Sequence, residues 1–115
     1  MFYGCTSLAK APEILPATTL ATQCYDSMFY GCTSLAKAPE ILAVNDYNVA
    51  NAFQDMFRGC SSLSYIKVHL QDVQDSNNFL LWADGVKSSG EFYIPTDANS
   101  SVSSRKPTGW TLRRF

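Results

Sequence analysis

The sequence predicts an α/β solenoid of about three to four coils, each a short parallel strand followed by a helix, with a capping segment at the C-terminal end. Three observations lead there. The stretch MFYGCTSLAKAPEIL occurs twice without a change, at Met1–Leu15 and Met28–Leu42. A degraded copy follows at Met56–Leu63 and a fainter one at Phe79–Val86. Gly4, Gly31, Gly59 and Gly85 mark the beat, in steps of 27, 28 and 26 residues. A near-constant period of this size belongs to units that cannot bury an apolar face alone and must stack on their neighbours. The coils are assigned to residues 1–86, with repeats starting near 1, 28 and 56, and the closing strand and capping tail to 87–115.

The bulk composition agrees with a packed chain. A length of 115 residues fits one domain. Charged residues make up 17% and hydrophobic residues 46%, too apolar for disorder. A net charge of −1 supplies no field to draw in nucleic acid or an anionic membrane. No apolar run approaches the roughly 20 residues that span a bilayer. The N-terminus lacks the basic and then apolar regions of a signal peptide. Met1 stands at the repeat phase of Met28, so the chain is expected to be a piece that starts in mid-repeat, and the missing signal does not assign a compartment.

Taken in order, each unit has a strand half and a helix half. The strand halves are Leu8–Ile14, Leu35–Ile41 and Leu63–Leu70. The third is the clearest, because apolar and polar residues alternate from Ile66 onwards. Pro12 and Pro39 lack the N–H that a ladder needs, so the first two strands must be short or end there. The helix halves are Thr18–Phe29 and Val49–Phe57, with apolar residues at helical spacing, and a shorter one at Gln74–Ala83. Gly31, Gly59 and Gly85 are expected to stop them in the left-handed conformation. Glu91–Pro95 reads as a further strand, Thr96–Pro107 as a surface loop, and Gly109–Leu112 as a last extended piece with Trp110 plugging the end of the core.

Cys5, Cys32 and Cys60 follow the marker glycines, and Val86 takes their place in the fourth copy. A slot that accepts Cys or Val is a small apolar core slot, so these thiols, and Cys24 off the column, are expected to be structural. No Cys-x-x-Cys pair suggests zinc, and no Asp-x-Asp-x-Asp-Gly run suggests calcium. Neither a metal nor any other cofactor is expected.

The run Gly-Cys-Thr-Ser-Leu, a short strand, and then a stretch ending in Met-Phe-x-Gly-Cys resembles the BspA-like leucine-rich repeat from Met1 to about Pro95. The ending, Gly90-Glu91-Phe92-Tyr93 with Pro107-Thr108-Gly109-Trp110-Thr111, is similar to the closing segment of surface proteins of that family. The first two copies depart from the pattern, with Ala and Pro where branched apolar residues usually stand. The resemblance implies a short leucine-rich-repeat solenoid in a secreted or cell-surface bacterial protein, extracellular in location, that adheres to proteins, host matrix or other cells. It implies no catalytic residues, since that family has none.

The candidate binding residues are Lys10, Lys37 and Tyr65, which share one repeat position, with Lys67 in the neighbouring column beside Pro12 and Pro39. Tyr93 and His69 extend this basic and aromatic strip on the sheet face, and the concave face is where stacked-repeat proteins bind. The alternative for the strip is a solvated face whose lysines lie along apolar surface. His69 and Asp72 could be read as a catalytic pair, but no nucleophile turn and no phosphate-binding glycine motif accompanies them, so no enzyme is expected. The tail bears Arg105, Lys106, Arg113 and Arg114, and reads as a solvated end. The function expected is a non-catalytic interaction module for a protein or glycan ligand, with no nucleic acid partner. The alternative is a spacer or stalk carrying another domain. The first coil leaves its Leu8 strand unpaired on one side, so self-association into a homo-oligomer through that uncapped end is expected.

Overall fold

The computed structural model describes residues 2–11, 13–15, 25–42, 45–46, 53–70, 72–73 and 81–115. Its repeats are joined by backbone hydrogen bonds that run from each copy to the next. The amides of Phe2 and Gly4 donate to the carbonyls of Met28 and Tyr30 at 2.8 and 2.6 Å. Those of Phe29 and Gly31 donate to Met56 and Arg58 at 2.9 and 2.8 Å, and those of Phe57 and Gly59 to Trp82 and Asp84 at 2.7 and 2.8 Å. The intervening amides close tight turns: Met28 onto Tyr25, Tyr30 onto Ser27 and Cys32 onto Phe29.

This arrangement overturns the expected helices. An α-helix needs each amide for the carbonyl four residues back, and the amides of Phe29 and Phe57 are already given to the next repeat. Turns of this kind take a left-handed residue at the third position. Ser27 and Gly31 fill it in one repeat, with φ of 55° and 74°, and Asp55 and Gly59 fill it in the next, with 54° and 77°. The described ends of the three expected helices, 25–29, 53–57 and 81–83, are therefore consecutive turns. The rest of those segments lies outside the described residues. The expectation of an α/β solenoid of strand-plus-helix coils, the leucine-rich-repeat fold, is thus corrected to a small structure with a three-stranded parallel sheet and almost no helix. Its radius of gyration is 12.6 Å. That is close to the roughly 13 Å of an ordinary globular domain of this length.

The strands are short and all pair in parallel. They are β1 (Ile14–Leu15), β2 (Glu40–Ile41), β3 (Asn45–Asp46), β4 (Tyr65–Lys67), β5 (Asp72–Val73), β6 (Glu91–Ile94) and β7 (Thr111–Arg114). β1 pairs with β2, β3 with β5, and β4, β6 and β7 form one sheet in that order. A single bridge, Ile41 to Val68, joins β2 to the edge of β4. Proline explains the brevity of β2, which begins at the residue after Pro39.

The register between the second and third repeats slips by one residue. Gly59 stacks on Gly31, a separation of 28, whereas Ile41 stands opposite Val68, a separation of 27. The slip falls between these two points, in a stretch that includes Pro39, which cannot donate to a ladder. Because strand side chains alternate between faces, one residue of slip decides which side chains meet.

The core runs along the stack as a column of rings. Phe2, Phe29, Phe57, Trp82 and Phe92 follow one another at centroid distances of 5.3, 5.7, 5.8 and 5.9 Å. Beside it lie Cys32 and Cys60, whose Sγ atoms each donate to the previous repeat's Phe carbonyl at 3.0 Å. Burial pushes the Cys60 thiol up to about 12 and raises Cys32 as well, while Cys5 is exposed. Cys24 lies outside the described residues.

Trp110 is buried in the same core, and its Nε1 donates to the Lys87 carbonyl at 2.7 Å. The segment between β6 and β7, expected to be a loop, carries the one helix among the described residues, α1 (Ser100–Ser103). Asn99 caps it by accepting from the Ser101 amide, and its Val102 is buried. Arg114 is not simply solvated, because its Nη1 donates to the Pro95, Thr96 and Ala98 carbonyls at 3.0–3.3 Å and ties β7 to the turn after β6.

Phe57→Ala removes a fully buried ring from mid-column and should cost about 3–5 kcal/mol in chemical denaturation. Near pH 8, alkylation followed by site-resolved mass spectrometry should modify Cys5 readily and Cys60 only after unfolding.

Candidate functional site

The candidate residues gather on the sheet face, held by β4, β6 and the bends before β1 and β2. Tyr65 and Lys67 project from the same face of β4, two residues apart. Lys37 reaches over Tyr65, with Nζ 4.8 Å from the ring centroid. Tyr93 of β6 lies on the other side, its ring 5.1 Å from that of Tyr65. The result is a cation, a ring and a second ring in line across three segments that sequence separates widely.

A second cluster adjoins the first. Lys67 Nζ is 3.5 Å from Glu40 Oε1 and 4.5 Å from the centre of the Phe115 ring. His69 Nε2 is hydrogen-bonded to the same Glu40 oxygen, and its ring meets Phe115 edge-on at 5.0 Å. The His69 contact, with help from Lys67, holds the Glu40 carboxyl below the usual carboxylate range. On the far side, the Tyr93 hydroxyl donates to Glu91 Oε2 at 2.7 Å, and this bond raises the phenol above its ordinary value. Arg113 of β7 stands 3.7 Å from the other Glu91 oxygen.

On the Lys37 side of Tyr65 lies an open groove of about 620 Å³. Lys10, Lys37 and Lys67 line it with Glu13, Glu40 and Tyr65, and the short side chains of Ala9, Ala11, Ala36 and Ala38 leave the depression. Glu40 is matched by Lys67 and His69, so Lys10 and Lys37 exceed the remaining Glu13 and leave the groove cationic. Such a surface can hold a carboxylate or other anionic group by its ammoniums and lay a flat ring or a sugar face against Tyr65 and Tyr93.

All six candidate side chains therefore lie on one continuous surface, but not in the columns that repeat spacing suggests. Repeat position places Pro39 beside Lys67, and the slipped register places Glu40 there instead. Tyr93 stands opposite Lys67 in the ladder, so its ring reaches Tyr65 on the diagonal. His69 is bonded to Glu40, and the suggested His69–Asp72 pairing falls on a side chain outside the described residues, as does Pro12. Sequence reading missed Glu40, Glu91, Arg113 and Phe115. Only the Glu91-x-Tyr93 spacing, two residues apart on a strand, carried a signal.

Among the described residues, no group of three or more His, Cys, Asp or Glu side chains is placed to hold a metal ion. Among them, too, no helix is long and apolar enough to cross a membrane. Comparison of the chain with protein-family models, with curated proteins and with solved structures finds no match.

Glu40 sets an acid limit on this surface. A carboxyl whose folded pKa is depressed contributes stability above its unfolded value and loses it as pH falls through the folded one. Glu40→Gln should lower the thermal midpoint at pH 7 and leave it nearly unchanged at pH 2, a difference that scanning calorimetry at the two pH values would read.

Proposed function

We propose that this chain is a non-catalytic interaction module that binds a protein or glycan ligand through its sheet face. The observation that carries the reading is the Lys37–Tyr65–Tyr93 line beside a cationic groove. Rings and cations from several segments make a preorganised contact surface, and aromatic residues lose little conformational freedom on binding. The resemblance to BspA-like surface proteins supports an extracellular or cell-surface setting and an adhesive role. His69 and Lys67, the obvious candidates for proton transfer, are both engaged with Glu40. The near-neutral net charge of −1 favours a protein or sugar over nucleic acid. Self-association through the first repeat belongs to the same proposal, since Tyr3 there is 64% exposed.

A panel of immobilised matrix proteins and glycans, probed with the wild-type chain and with the double variant Lys37→Ala, Tyr65→Ala, tests the sheet-face reading. The expected result is a ligand retained by the wild type and lost by the double variant, with both equally folded by circular dichroism. No retained ligand, or one bound equally by both proteins, would overturn it.

A further inference from the structure

The lysines of the sheet face are of two kinds. Lys67 is engaged by Glu40, and the carboxylate of Glu91 is held by the Tyr93 hydroxyl and Arg113. Among the described residues, Lys10, Lys37 and Lys87 have no carboxylate within ion-pair distance, and Lys37 rests over the Tyr65 ring instead. Against these three ammoniums stands, among the described residues of the same lining, one unmatched carboxylate, that of Glu13. The face therefore carries surplus positive charge spread along the stack, although the chain as a whole is near neutral at −1.

Tyr65 is the common wall of two depressions. One is the cationic groove, and the other is an open depression of about 460 Å³ lined by Ser64, Lys87, Ser89, Glu91 and Thr111. The second is polar, with three hydroxyls, an ammonium and a carboxylate beside the ring. The two together reach from the Lys10 segment, through the Lys37 segment, β4 and β6, to β7. That is four strand steps of about 4.8 Å, or roughly 19 Å, too long for a simple anion or a single sugar ring. In the middle, β6 is paired on both sides, so it offers an extended peptide no free ladder.

We infer that the two depressions are one extended site for an acidic oligosaccharide, a chain of sugar rings with carboxylates at intervals; this rests on the sheet-face interaction module and names its ligand class. Lys10 and Lys37 take one uronate carboxylate and Lys87 another. Sugar hydroxyls between them bond to Ser64, Ser89 and Thr111, and the rings lie against Tyr65 and Tyr93. Single cations set along the face match a uronate chain, whose charges stand a ring or more apart. A nucleic acid, charged at every step of its backbone, would need them packed more densely.

The probes are hexasaccharides of alternating glucuronate and N-acetylglucosamine, of galacturonate and of mannuronate, titrated by calorimetry into the full 115-residue chain. At least one is expected to saturate below about 1 mM, and the same hexasaccharide with its carboxylates reduced to alcohols should bind at least about tenfold more weakly. The pair Lys10→Ala, Lys37→Ala and the single variant Lys87→Ala, all at exposed positions, should each weaken binding by about tenfold while keeping the thermal midpoint. No saturation by any of the three, undiminished binding of the reduced form, equal binding of hexaglutamate, or unchanged affinity in Lys87→Ala would overturn the inference. In each of those cases, a matrix protein retained by the wild type and lost by the double variant Lys37→Ala, Tyr65→Ala would leave the sheet-face module standing, so the two failures are told apart.

Discussion

The hydrogen bonds between repeats are the constraint from which the other features follow. Each repeat gives alternate amides to the next one, Phe2 and Gly4 to the second, Phe29 and Gly31 to the third, Phe57 and Gly59 to the fourth. The amides left over close turns within the repeat, and those turns need two left-handed residues four apart. Stacking at backbone hydrogen-bond distance then brings equivalent side chains into contact, which is why the phenylalanines and Trp82 form a continuous column. The marker glycines also lie one above another, where the Cβ position on Gly59 is 3.6 Å from Gly31 Cα.

The sheet face owes its character to a departure from that regularity. If the second and third repeats kept the 28-residue separation of Gly31 and Gly59 through Pro39, Glu40 would stand opposite Val68 and point away from the cations. The slip instead turns Glu40 toward Lys67 and His69 and leaves Lys10 and Lys37 as the surplus charge of the groove. The C-terminal segment contributes from the other direction. β6 supplies Tyr93, and β7 brings Arg113 to Glu91 and carries the chain on to Phe115 beside Lys67 and His69. The surface is therefore assembled from three repeats and the closing strands.

The beat of the glycines, the core slot of Cys32 and Cys60, the strands at Ile66 and Phe92, and the burial of Trp110 were legible because each is a local property of residue type repeated at a fixed interval. The helices were misread for an equally local reason. Tyr25, Met28 and Phe29 have the spacing of an amphipathic helix, and a chain of turns that buries every fourth ring has the same spacing. Which conformation holds depends on where the amides of Ser27, Phe29 and Gly31 go, and their partners are 27 residues away.

Residue order alone establishes that like segments recur, which residues in them are apolar enough to be buried, and that the candidate strip carries lysine and tyrosine at matching positions. It takes the folded chain to make those segments turns joined by backbone ladders, to bring Glu40 rather than Pro39 to Lys67, and to return Phe115 to the same surface. The physical reason is that residue type sets local preference, whereas hydrogen-bond partners and strand register are choices among distant groups, settled when the whole stack closes at once.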